Sequence, residues 1–250
     1  MSNAMTITHL LLDIEGTTCP VSFVADVLFP YARAAIPDFL NTHGQDPEIQ
    51  QLINDVESAW RNDSTPEAVA LLQACQEQQG ATRVAPYLQH LIDRDVKLTA
   101  LKDLQGRIWR SGYASGALVA PLFSDVAESL QRWHQEGFTL AVYSSGSVPA
   151  QQLLYGHSTA GDLRPLFSHW FDTRIGSKQE PASYSAIAEQ MKAAAQQVLF
   201  ISDALSELEA ASAAGMAVLF SDREGNPGRD SGRFERINDY RRLNPAHGPE

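Results

Sequence analysis

The apolar residues of this chain follow two rhythms, and the change between them divides it. Residues 7–13 (ITHLLLD) form a short run, β-branched at its start and apolar at its end, that stops at Glu15-Gly16-Thr17-Thr18. A short apolar run closed by a glycine-containing loop predicts a buried strand. From Val21 to Gly112 the spacing turns helical. Leu28, Ala32, Ala35 and Phe39 recur on one face, and Leu52, Val56, Ala59 and Trp60 on another. Val69, Leu72, Ala74 and Cys75 suggest a third face, and Tyr87, Leu88, Leu91 and Ile92 a fourth. Pro47, Pro66, Gly80 and Pro86 punctuate them, and Thr65-Pro66-Glu67 sets a cap-type residue before a proline at the first helical position.

Strands then return and alternate with helices. FTLAVY at 138–143, a short strand at 169–172, VLFIS at 198–202 and AVLF at 217–220 are the apolar runs. Helical stretches at 126–135 and 205–214 lie among them. This alternation predicts an α/β fold with a Rossmann-like parallel sheet covered on both faces. The N-terminal strand is too short to stand alone and should pair with the later ones. The expected architecture is a core of residues 5–20 and 112–222, with residues 21–111 inserted as a helical cap beside the sheet's C-terminal edge. Ligands bind at that edge in open α/β sheets. Residues 223–250, rich in Gly, Arg, Asp and Pro, read as an irregular, partly mobile tail. Residues 1–4 read as a cloning remnant ahead of a natural start at Met5.

Charge and composition narrow the function. The formal net charge is -11 with no dense Lys/Arg block, which argues against a nucleic-acid partner. It also means that a phosphate site would need local positive charge or a metal. No apolar run approaches the ~20 residues that span a membrane, and no signal peptide leads the chain. Cys19 and Cys75 form no CxxC pair and read as free thiols in a reducing cytoplasm. No heptad or exposed apolar stripe demands assembly, so a monomer is expected.

Four polar clusters each follow a predicted strand. Asp13 and Glu15 sit two residues apart at the first strand end. An ionised carboxylate can attack phosphorus without a base to activate it, and a second carboxyl nearby can protonate the leaving oxygen and then deprotonate water. Gly16 lets the backbone bend so that amides can face a phosphate. Ser144-Ser145-Gly146-Ser147 follows FTLAVY and offers hydroxyls and amides at a strand-to-helix turn. Lys178 lies a few residues beyond the third strand and could neutralise a phosphoryl oxygen. Asp203 ends VLFIS, with Glu207 four residues on, and a carboxylate facing Asp13 there suits Mg²⁺, a hard ion that prefers oxygen. Each cluster alone has an ordinary structural reading as a turn, a cap or a surface charge. Their joint order along the chain does not.

That order resembles the haloacid dehalogenase-like phosphatases, in which an Asp nucleophile, a Ser/Thr, a Lys and a metal-binding acid follow in sequence. The resemblance implies Asp13 as nucleophile and magnesium ligand, Ser144 as a phosphoryl-holding group, Lys178 as charge stabiliser and Asp203 as the completing ligand. It also implies Glu15 as general acid/base, lending the metal its backbone carbonyl. Glu15 departs from the Asp usual at that position and reaches one methylene further. The departure fits one branch: LLDIEGTTCPVSFVADVLFPYA, VYSSGSVPAQQLLYGHSTAGDL and HWFDTRIGSK closely resemble the enolase-phosphatases of methionine salvage. Members enolise a phosphorylated methylthio-diketone and remove its phosphate to give an acireductone precursor. The resemblance makes Ser144 and Ser145 substrate-binding, Lys178 a phosphate contact, and Asp13, Glu15 and Asp203 the magnesium set.

The base for enolisation is open between Glu15 and a cap residue. His157 tempts as a second proton carrier, but a helix C-terminal cap is its more ordinary reading. Trp60, Trp109 and Trp133 read as packing residues. A phosphatase of the same fold for another small ester, and a phospholigand-binding protein without catalysis, are the competing readings. The presence of Asp13, Glu15, Lys178 and Asp203 argues against the latter.

Overall fold

The structure, a computed structural model, describes residues 6–247, so the expected remnant at 1–4 and the start at Met5 lie outside the described residues. Six strands form one sheet: β1 (His9–Leu12), β2 (Thr139–Tyr143), β3 (Phe167–Phe171), β4 (Val198–Ser202), β5 (Ala217–Ser221) and β6 (Arg236–Ile237). Their order is β3-β2-β1-β4-β5-β6, and every pairing is parallel. Leu12 stands level with Val142 on one side and Ile201 on the other. Tyr143 likewise stands level with Phe171. The residues that follow β1, β2, β3 and β4 therefore emerge along one edge. The strand order reverses between β1 and β4, and a crevice at the carboxyl ends of the strands forms at such a reversal.

The chain divides into two compact units, one reaching up to Val24 and resuming at Val119, the other Ala25–Leu118. A helical turn, α1 (Val21–Phe23), closes the first part of the sheet unit. The second unit holds α2 (Phe29–His43), α3 (Pro47–Asn62), α4 (Pro66–Ala74), α5 (Ala85–Asp93) and α6 (Thr99–Ala114). Proline at the first helical position sets φ at the starts of α3 and α4. Ile49, Ile53, Val56 and Trp60 then recur at helical spacing and bury one face of α3. One predicted face is half misplaced: Cys75 is buried and Leu72 packs on the same core, but Val69 is 40% exposed and Ala74 is exposed too, while Ala68 is buried and accepts the Trp60 indole N–H on its carbonyl at 2.9 Å. Trp60 also stacks on Tyr87 at 4.9 Å, and Trp109 donates to the Leu28 carbonyl, so both serve packing.

The sheet unit adds α7 (Val126–Gln135), α8 (Val148–Gly156), α9 (Pro181–Gln190) and α10 (Leu205–Ala213). All five residues of β4 are buried, as expected for a strand covered on both faces. Leu11, Ala141, Phe200 and Phe220 share one face with Tyr184 and Ile187 of α9 and Leu208 of α10. Among the described residues no helix is long and apolar enough to cross a membrane.

The segment after Asp222 differs from a loose tail. It supplies β6, and Tyr240 within it is fully buried against Trp133, with ring centroids 5.6 Å apart. Its Gly- and Arg-rich composition hid this, since the anchoring is done by a few residues rather than by a periodic apolar pattern.

Candidate active site

The site is built where four strands end. Asp13 leaves β1 with its amide donating to the Ile201 carbonyl at 3.0 Å, so the neighbouring strand fixes its backbone. Its side chain is only 8% exposed, and a carboxylate would be costly there without a partner. Lys178, 8% exposed, supplies one: its Nζ lies 2.7 Å from Asp13 Oδ1 and 2.7 Å from Glu207 Oε2. The lysine reaches this point because the loop after β3 is pinned. The Tyr184 hydroxyl donates to the Lys178 carbonyl at 2.7 Å, and the Tyr143 hydroxyl to that of Gly176 at 3.0 Å. Ser202 donates to Glu207 at 2.9 Å and lies 3.4 Å from Asp13 Oδ2, a long contact that leaves this oxygen loosely held.

Electrostatics set the protonation states. Burial works against the Lys178 charge, but Asp13 and Glu207 outweigh it and hold the ammonium above its ordinary range. Burial, and then the charge of Asp13, push Glu207 up to about 7 against the pull of Lys178. The same two causes push Asp203 up to about 7, with Glu15 adding to the rise. Asp13 and Glu207 thus share one ammonium in direct contact, while Asp203 feels its charge without pairing with it, so negative charge is in excess.

That excess tests the fit of a cation. The donors are carboxylate and carbonyl oxygens, the set a hard divalent ion takes. Among the described residues no three His, Cys, Asp or Glu side chains group closely enough to hold a metal by themselves. Magnesium, however, commonly uses only one or two carboxylates and completes its shell with water and phosphate oxygens. Two side chains, Asp13 and Asp203, with a main-chain oxygen, match that habit.

The loop between Asp13 and Cys19 is a closed turn. The amides of Thr17, Thr18 and Cys19 all donate to the Ile14 carbonyl, at 3.2, 2.9 and 2.9 Å. Gly16 takes φ +68°, and a Cβ there would collide with the Asp203 carboxyl and come within 2.9 Å of Asn226 Nδ2. Only glycine allows this close approach of backbone to acid.

Ser144 is buried beyond β2, its amide donating to the Phe171 carbonyl at 3.2 Å, whereas Ser145 is exposed. The Ser144 hydroxyl accepts from the Gly146 amide at 3.2 Å. Asp172, expected as the last residue of its strand, lies just past β3 and accepts from the Val148 amide at 3.2 Å, which anchors the start of α8. Gln151 braces the same turn, donating to the Gly146 and Phe171 carbonyls at 2.8 Å each.

The structure joins Asp13 and Lys178 directly and sets Asp203 against Gly16, with Ser144 one strand away. It does not bring in His157, which is the C-cap of α8 and therefore at the far end of that helix from the strand ends, its ring nitrogen 3.0 Å from the Leu153 carbonyl. Sequence reasoning noted Glu207 only by its spacing from Asp203 and missed that it shares Lys178. The signal was an acid one turn into the helix that Asp203 precedes.

A family model described as haloacid dehalogenase-like hydrolase matches residues 7–215. The chain is 52% identical over 223 residues to a Synechococcus sp. (strain CC9902) protein named Enolase-phosphatase E1, covering 88% of this chain and 91% of that one. Among solved structures, the UTR4 protein (Unknown transcript 4 protein) of Saccharomyces cerevisiae superposes with a TM-score of 0.75 at 32% identity, over 95% of this chain and 100% of that one. CbbY of Rhodobacter sphaeroides, solved as a mutant with xylulose-(1,5)bisphosphate, shares the fold, with a TM-score of 0.55 at 18% identity over 95% and 96% of the two chains.

Proposed function

The chain belongs to the haloacid dehalogenase-like hydrolases and, within them, to the enolase-phosphatases, and on that premise we propose that the cluster at the ends of β1 and β4 is a phosphatase centre with Asp13 as nucleophile. The substrate is the phosphorylated methylthio-diketone of methionine salvage, released as the acireductone after enolisation and loss of phosphate. The observation that carries the reading is the buried Lys178 ammonium, 2.7 Å from both Asp13 and Glu207 at the point where the strand order reverses.

The steps follow from these groups. Lys178 pairs with the Asp13 carboxylate and faces the charge of an arriving phosphoryl group. Asp13 attacks phosphorus while Glu15 protonates the departing enol oxygen, so the P–O bond to substrate breaks as an aspartyl-phosphate forms. Glu15, now a carboxylate, takes a proton from water. That water attacks phosphorus, the Asp13–phosphate bond breaks, and inorganic phosphate leaves with the enzyme restored. Ser144 and Ser145 bind the phosphoryl group and substrate. Asp13 and Asp203 would hold Mg²⁺ through their carboxylates, and Glu15 through its backbone carbonyl. The ion, when bound, offsets charge on the transferring group.

In this proposal residues 5–20 and 112–222 are the catalytic core, residues 21–111 the cap that selects the ester, and the working form a cytoplasmic monomer whose only partner is the small phosphorylated metabolite. The test is phosphate release from the methylthio-diketone phosphate beside a panel of common phosphate esters, with magnesium and with a chelator. Strong magnesium-dependent turnover of the diketone, with the enol's ultraviolet absorbance, is expected. Turnover confined to another ester would overturn the substrate, and no hydrolysis of any ester would overturn the chemistry.

A further inference from the structure

The loop that carries Glu15 is held from two sides, and only one of them belongs to the loop. Its amides turn inward onto the Ile14 carbonyl. Its outward carbonyls are taken by the last residue of β5 and by residues that follow it. The Gly16 carbonyl accepts from Ser221 Oγ at 3.1 Å and from Asn226 Nδ2 at 2.9 Å. The Thr17 carbonyl accepts from the Tyr240 hydroxyl at 3.0 Å. Ser221 and Tyr240 approach each other at 3.4 Å, but each has one hydroxyl hydrogen and each has a better acceptor in the loop.

Tyr240 is itself fixed with unusual thoroughness for a residue so near the end of the chain. Its amide donates to Asp125 at 2.6 Å. Its ring lies 4.1 Å from the Arg223 guanidinium, which is bidentate to Asp125 at 3.0 and 2.9 Å. Arg223 and Asp125 are each only 4% exposed at the side chain, so this pair is a buried anchor rather than a surface contact. Arg132 of α7 clasps the segment from behind, donating to the carbonyls of Tyr240, Arg241 and Leu243. None of these groups reaches the Asp13–Lys178–Glu207 cluster. Their common output is the pair of carbonyls that follow Glu15.

We propose that Tyr240 and Asn226 are positioning residues for the phosphatase reaction: by fixing the carbonyls of Gly16 and Thr17 they hold the two peptide planes just beyond those that flank Glu15, and through that turn keep Glu15 in register with Asp13. A carbonyl and the amide across its peptide bond turn together. Fixing two successive carbonyls therefore fixes the turn that aims Glu15. The inference rests on the reading of Glu15 as the proton carrier. Small errors in such a geometry cost rate far more than binding.

The experiment uses the full chain with magnesium and p-nitrophenyl phosphate, whose leaving group departs without protonation. Tyr240→Phe keeps the ring against Arg223 and Trp133 and removes only the hydroxyl. Asn226→Leu removes the second donor at an independent position. Attack by Asp13 on this substrate does not call on Glu15, whereas hydrolysis of the aspartyl-phosphate does. The expected result for both variants is a pre-steady-state burst of nitrophenolate at the wild-type rate, followed by steady-state turnover roughly tenfold slower with KM little changed. Equal loss in burst and steady state, together with a lower melting temperature or failure to fold, would reduce both residues to structural ones and overturn the proposal. Unchanged rates in both phases would overturn it too. Wild-type protein that releases neither nitrophenolate nor phosphate would instead refute the phosphatase reading, a result distinct from failure of the variants alone.

Discussion

Replacing Lys178 with methionine tests how the site holds its charges. The substitution roughly preserves volume and removes one ammonium that two carboxylates share at 2.7 Å each. At an effective dielectric constant of ~20, Coulomb's law gives about 6 kcal/mol for each contact before desolvation is subtracted. Desolvation of the buried ions returns much of that, so the intact cluster contributes little net stability. Deletion is different. It strands Asp13 and Glu207 without a counter-charge, and breaking a buried pair in this way costs about 3–5 kcal/mol. For a chain of this size each kcal/mol corresponds to about 2–4 °C, so the melting temperature should fall by roughly 6–20 °C at pH 8.

The pH dependence gives the sharper check. Glu207 is already pushed up to about 7 by burial and by Asp13, with Lys178 pulling the other way. A carboxyl raised in the folded state above its unfolded value adds most stability when both states are protonated, and loses it as pH climbs through the folded value. Removing Lys178 raises Glu207 further, so the destabilisation of the variant should shrink as pH falls from 8 towards 5.5. Thermal melts of both proteins in chelator across that range read it directly. A loss independent of pH, or a variant as stable as the parent at pH 8, would refute the reasoning. Steady-state phosphate release by the variant should fall by at least ~100-fold, since the donor facing the phosphoryl charge is gone.

Three further outcomes are expected. Asp13→Asn should abolish turnover while circular dichroism and the melting curve still report a folded chain; substantial residual hydrolysis would exclude the covalent route. Glu15→Gln should lose turnover yet retain most magnesium affinity in a calorimetric titration, because its assigned metal contact is the backbone carbonyl. Complete loss of affinity would contradict that assignment. Gly16→Ala meets a φ of +68° and the Asp203 carboxyl; the backbone strain alone is worth about 1–2 kcal/mol, and magnesium affinity should drop with stability, so a variant matching the parent in both would show that the close approach is dispensable.

The sheet was legible because its strands are uniform. Residues 198–202 were bounded correctly, since VLFIS is apolar throughout and ends at Ser-Asp, and residues 126–135 likewise carry a clean amphipathic pattern. The third strand was placed late, at 169–172 instead of Phe167–Phe171, because FSHWF mixes polar and apolar residues and Asp172 looks like a strand terminus while its side chain anchors the start of α8, the helix before the strand. Strand order cannot be read from periodicity at all. It emerges from pairing, and it is pairing that seats Asp13 between the ends of β2 and β4.

The site was legible to the extent that its parts follow strands. Asp13, Ser144 and Asp203 sit one residue past β1, β2 and β4, where chain geometry alone delivers them to one edge. Lys178 is harder, lying seven residues past β3, and depends on tyrosine hydroxyls that fix its loop from α9 and β2. Glu207 and the post-β5 segment are harder still. Glu207 matters only because a lysine from another loop reaches it, and Tyr240 only because a buried Arg223–Asp125 pair holds its backbone. A local sequence window contains neither fact. What governs legibility here is the number of separate tertiary contacts between a residue and the nearest strand end: none for Asp13, two for Lys178, and a chain of them for Tyr240. Substitutions along that series should accordingly pass from direct loss of chemistry, through loss of charge balance, to loss of alignment with the chemistry intact.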